Sequence, residues 1–71
     1  MEITIEYWNK WNYQPQAASL ADELKSELGV ESTLIPGVGG IFEVIADGKV
    51  IYEKAKTGKF PDKGEVSKLL K

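Results

Sequence analysis

Cysteine, histidine and arginine are absent from this 71-residue sequence. Without cysteine there is no disulfide, no thiolate nucleophile and no thiol redox pair. Without histidine there is no imidazole base near neutral pH, and with both missing the common zinc ligands are gone. Without arginine no planar fork can grip a phosphate or carboxylate through two parallel bonds. Long hydrophobic runs are also missing. None approaches the ~20 residues of a membrane span, and the alternating, acidic start Met1-Glu2-Ile3-Thr4-Ile5-Glu6 is unlike a signal peptide. The expectations are no catalytic residue, no cofactor, no metal, no membrane partner and a cytoplasmic location, with which the lack of thiols agrees. At this length the chain makes one domain, residues 1–71, burying about 60–65% of the surface its unfolded form exposes.

Nine lysines face eleven acids, for a net charge of −2. Residues 1–35 are acidic and 36–71 mildly basic, but the lysines of the second half are interleaved with Glu43, Asp47, Glu53, Asp62 and Glu65. Nucleic-acid binding needs cations clustered without such neighbours, so no nucleic-acid partner is expected.

Met1, Ile3, Ile5 and Tyr7 alternate with Glu2, Thr4 and Glu6, a period of two that predicts a strand over 2–7 with one dry face. From Pro15 the period changes. Ala17, Leu20, Ala21, Leu24 and Leu28 recur at helical spacing, predicting a helix over 15–28 that Gly29 ends. Val30 to Ile35 is a β-prone run closed by Pro36, and a helix between it and the first strand implies a parallel, right-handed crossover. Asp47-Gly48 between Ile41–Ala46 and Lys49–Lys54 predicts a type I′ hairpin pairing Val44 with Ile51 and Glu43 with Tyr52. Asp62 with Glu65 three positions on opens a second helix over 62–70, with Val66, Leu69 and Leu70 as its apolar stripe. The order is βαβββα, an α/β fold in which both helices cover one face of a mixed four-stranded sheet. The other face would carry Glu2, Glu6, Glu43 and Thr33 beside Ile45, Val50 and Tyr52, either solvated or open to a partner.

Pro36-Gly37-Val38-Gly39-Gly40 lacks the following helix and the Lys-Ser/Thr pair that phosphate cradles use, so it reads as a turn allowing close backbone approach. Glu2, Glu6 and Glu43 share a parity, but nothing supplies the apolar pocket that would raise a carboxyl pKa for acid–base work. Lys10, between two tryptophans, reads as an exposed loop lysine.

Tyr7-Trp8-Asn9-Lys10-Trp11-Asn12-Tyr13 stands apart, with four aromatics in seven residues between the first strand and first helix. The flanking residues Glu6-Tyr7, Asn12-Tyr13, Pro15-Gln16-Ala17, Leu20-Ala21 and Glu23-Leu24 resemble the selenoprotein W-like group, the Rdx family of the thioredoxin-like superfamily. A second block resembles it too: Pro36, Gly39-Gly40, Phe42-Glu43-Val44, Asp47-Gly48, Ile51-Tyr52, Lys54, Gly58-Lys59-Phe60-Pro61 and Glu65-Val66. The resemblance spans nearly the whole chain and implies a thioredoxin-like fold. It also implies a Cys-x-x-Cys or Cys-x-x-selenocysteine pair between the first strand and first helix, where this sequence has Trp8 and Trp11. An indole can neither attack a disulfide nor resolve one, so the family's redox chemistry carries over to no residue here.

Two readings of the paired tryptophans remain open. They either fold down as packing over the helix start against Phe60 and the Gly-rich turn, or stand out as an aromatic platform. The platform reading makes Trp8, Asn9, Lys10, Trp11 and Phe60 the binding residues of a redox-inactive module for a protein or peptide partner. The alternative function is a thiol-disulfide oxidoreductase scaffold that docks glutathione or a partner thiol without supplying a nucleophile.

Overall fold

The computed structural model describes residues 1–70. Its elements are β1 (Ile3–Trp8), α1 (Tyr13–Leu28), β2 (Ser32–Gly37), β3 (Phe42–Ala46), β4 (Lys49–Glu53), α2 (Lys54–Thr57) and α3 (Glu65–Leu70). The strands form one sheet in the order β2-β1-β3-β4. β1 and β2 are parallel, and β3 runs antiparallel to both β1 and β4. No helix among the described residues is long and apolar enough to cross a membrane.

The alternation in β1 does what its period demands: Ile3, Ile5 and Tyr7 are buried, and the residues between them are not. Phe42, Val44 and Ala46 of β3 continue the dry face, which Ala17, Leu20 and Leu24 of α1 and Val66 of α3 cover. α1 starts two residues before the expected Pro15, which sits harmlessly in the first turn where its missing N–H has no helical partner. Gly29 ends α1 in the left-handed conformation at φ 68°, donating its N–H to the Lys25 carbonyl at 2.9 Å.

The β3–β4 turn is the expected one, with Asp47 at φ 51° and Gly48 at φ 82°. Asp47 also clasps the start of β1. Its Oδ1 accepts the Glu2 N–H at 2.8 Å, and its own N–H donates to the Glu2 carbonyl at 2.8 Å.

Beyond that turn the register differs from the expected one. A bulge between Val44 and Ile45 places Tyr52, not Ile51, opposite Val44, and Glu53, not Tyr52, opposite Glu43. Tyr52 therefore leaves the uncovered face for the core, where its hydroxyl donates to the Lys59 carbonyl at 2.8 Å and lies 2.9 Å from the Thr57 hydroxyl. Ile51 occupies the bulge, half-buried. β2 likewise runs past the expected stop, through Pro36 to Gly37, because it is an edge strand whose outer side needs no donor.

The single-turn α2 was not expected, and α3 begins at Glu65, not at residue 62. Leu69 points to solvent and Ser67 turns inward, its hydroxyl donating to the Gly64 carbonyl at 3.1 Å. The capping pair forms by half: Glu65 Oε1 accepts the Asp62 N–H at 2.9 Å, while the Asp62 carboxylate binds Lys59 Nζ at 3.1 Å. Lys59 Nζ also reaches Glu65 at 3.2 Å.

The Asp62 N–H, and then Lys59, hold the Glu65 carboxyl below its ordinary pKa, while Asp62 and Glu65 hold the Lys59 amine above its own. A depressed carboxyl contributes stability above its unfolded pKa and loses it as pH falls through the folded one. Glu65→Gln is therefore expected to be less stable than the parent at neutral pH, by a small margin because the group is exposed. That margin should vanish as urea midpoints are followed into the acid range.

Candidate binding loop

β1 ends at Trp8, which stands opposite Gly37 of β2 and donates its N–H to the Ile41 carbonyl at 2.8 Å. Only glycine fits at position 37, since a Cβ there would lie 2.6 Å from Ile41 Cγ2 and 3.1 Å from the Glu6 side chain. The loop over β1–α1 and the loop over β2–β3 are thereby drawn together at one end of the sheet.

Trp8 is half-buried. Its ring meets Tyr13 edge-on at 5.4 Å, Tyr13 meets Phe60 at 4.9 Å, and Phe60 meets Phe42 of the core at 5.1 Å. Such edge-to-face pairs each add about 0.5–1.5 kcal/mol beyond area burial. They form a chain of rings from the core to the loop. The Lys54 amine sits 5.6 Å above the Tyr13 ring and 5.3 Å above that of Phe60.

Trp11 does the opposite. It is 84% exposed and holds φ at 59°, the left-handed region that large side chains rarely occupy. Asn9, Lys10 and Asn12 around it are exposed, as is Val38 on the neighbouring loop. The Asn12 side chain makes no capping bond to α1, and no acid stands in that helix's first turn.

Of the residues expected at the site, Trp8 closes β1 and Asn9, Lys10 and Trp11 lie on the loop that follows it. Phe60 lies beneath them and is linked to Trp8 through Tyr13. Each reading of the tryptophans describes one of them: Trp8 is packing and Trp11 is exposed. Sequence reasoning missed Tyr13 as the keystone, Lys54 above it, and Val38. Tyr13 stood within the aromatic run, whereas nothing local marked the other two.

Because the chain has no other tryptophan, its emission reports this loop alone. The expected spectrum is a sum of a shielded and a solvated indole. Acrylamide should quench the red component at a rate typical of free rings, and Trp11→Ala should leave only the blue, poorly quenched component. A parent spectrum with no accessible component would contradict the placement of Trp11.

A four-stranded sheet in the order 2-1-3-4, two helices on one face and an aromatic loop leading from β1 into α1 define a thioredoxin-like α/β protein. More specifically, the chain belongs to the Rdx family, whose model matches residues 2–71. A Bordetella parapertussis protein of known crystal structure is similar at TM-score 0.90 and 29% identity, over 97% of this chain and 91% of that one. A selenoprotein W-related protein from Vibrio cholerae is similar at TM-score 0.89 and 29% identity, over 97% and 90%. No curated protein matches the chain significantly.

Proposed function

We propose that this chain is a redox-inactive Rdx-family domain that binds a protein or peptide partner through the Trp8–Trp11 loop. The observation that carries the reading is Trp11, a wet indole held in a left-handed backbone conformation. Leaving an indole wet forgoes roughly 2–3 kcal/mol of burial, and the backbone strain adds about 1–2 kcal/mol. Costs of this kind concentrate at sites where the side chain has a use, and tryptophan is enriched among residues that anchor interfaces. Trp8 serves differently: braced by Tyr13, it holds the base of the loop. Redox inactivity follows from chemistry, since a chain without cysteine cannot form the mixed disulfide through which thiol exchange runs.

The partner fitting this surface has an apolar pocket for the indole, polar groups for Asn9 and Asn12, and an anionic group toward Lys10. The test is affinity capture with the parent and with Trp8→Ala/Trp11→Ala baits, beside an insulin-reduction assay. The expected result is partners lost from the double variant and no reduction above the protein-free control. Identical partner sets from the two baits, or turnover that survives purification, would overturn the reading.

A further inference from the structure

The sheet has a second face that no helix among the described residues covers. Across it, Glu6 of β1 stands opposite Glu43 of β3, and Glu43 stands opposite Glu53 of β4, so three carboxylates form one row over three adjacent strands. Like charges directly opposite each other on a sheet are destabilising, and each is half-buried. The row is not relieved from within the sheet. The one lysine in any of the four strands, Lys49, stands opposite buried Ala46 on the other parity, and among the described residues only Glu53 of the row forms an ion pair, with Lys56 at 3.6 Å. Nor does the row close into a metal cage, since among the described residues no three acids converge on a point.

The next row on this face runs Thr33, Thr4, Ile45 and Val50, since Thr4 stands opposite both Thr33 and Ile45, and Ile45 opposite Val50. Its apolar members are Ile45 and Val50, the latter 41% exposed, while Ile35, 43% exposed, ends the acidic row beside Glu6. Apolar side chains thus flank the acidic row along one side and at one end.

We propose that this face docks a lysine- or arginine-rich amphipathic segment of a partner protein, its cations on the Glu6–Glu43–Glu53 row and its apolar side chains on Ile35, Ile45 and Val50. Charge complementarity selects this occupant: a second copy of the chain would set one acidic row against another, whereas a cationic segment relieves the repulsion already present. The face is separate from the Trp8–Trp11 loop, so either site can fail without the other.

The test is a titration of the isotope-labelled protein with a synthetic leucine–lysine amphipathic peptide, followed through backbone amide shifts, beside a leucine–glutamate peptide of equal length. The lysine peptide is expected to move Thr4, Glu6, Glu43, Ile45 and Val50, and the glutamate peptide to move nothing. Glu6→Gln/Glu43→Gln/Glu53→Gln should weaken binding by about tenfold or more and flatten its salt dependence, while Asp22→Asn/Glu27→Gln on α1 should change it by less than about twofold. The glutamine variant removes the repulsion along the row and, with it, only the weak pair of Glu53 with the exposed Lys56, so its melting temperature should not fall. If it does fall, Glu43→Gln alone, at the centre of the row, is read in its place. Equal weakening by the α1 variant would reduce the effect to net charge and overturn the proposal, as would shifts centred on the tryptophan loop. Concentration-dependent dimerisation through this face without peptide would overturn it in favour of a second copy.

Discussion

Phe42→Ala is expected to lower the free energy of unfolding by about 3–5 kcal/mol, the range for deleting a buried aromatic ring. A chain of this length has roughly 4–10 kcal/mol in all, so the variant should lose about 15 °C or more in thermal midpoint and approach the threshold of folding. The size of the effect follows from where the ring sits. Phe42 is 1% exposed and supports Phe60, which supports Tyr13, which supports Trp8. Removing it opens a cavity beneath the chain of rings that fixes the loop, so the Trp8 emission should shift red before global unfolding. Trp11→Ala, at a wet position, should move stability by no more than about 0.5 kcal/mol. A Phe42→Ala protein that melts within a few degrees of the parent would mean that the loop is not braced through this core.

The second large effect is chemical. Trp8→Cys/Trp11→Cys should convert a protein with no thiol chemistry into one that forms an intramolecular disulfide. Residue 8 closes β1 and residue 11 lies just before α1, and a three-residue offset at a helix start brings paired cysteines within bridging distance. The uncapped α1 terminus, with no acid in its first turn, favours a thiolate beside it. The expected result is loss of both free thiols on mild oxidation, with the monomer retained. Either single variant should form only intermolecular disulfides. A folded double variant that keeps both thiols under the same treatment would show that the loop has been remodelled around the indoles.

The fold was legible where one residue type settles a local conformation. Asp47-Gly48 specified its hairpin, and Gly29 its helix stop, because few residues adopt positive φ easily. The register beyond the hairpin was not legible. Counting back from a two-residue turn assumes an unbroken ladder, and Tyr52 breaks it by turning inward to bond Thr57 and the Lys59 carbonyl, groups that only the tertiary fold brings near. Lys54–Thr57 could not be read as a helix for the opposite reason: one turn carries too little periodicity, and Gly58 at φ 78° was its only mark. At the loop, the aromatic run located the surface, but equal spacing could not separate its members. Trp8 inherits its half-buried place from the end of β1 and the Tyr13 ring, while the left-handed turn at Trp11 depends on how the chain enters α1.

The central claim, that Trp11 anchors a partner, is tested most directly by calorimetric titration of the strongest captured partner against the parent and Trp11→Ala proteins. An anchoring tryptophan is worth about 2 kcal/mol or more, so the dissociation constant should rise by about 30-fold or beyond, with the thermal midpoints of the two proteins alike. Equal dissociation constants for the two proteins would contradict the account.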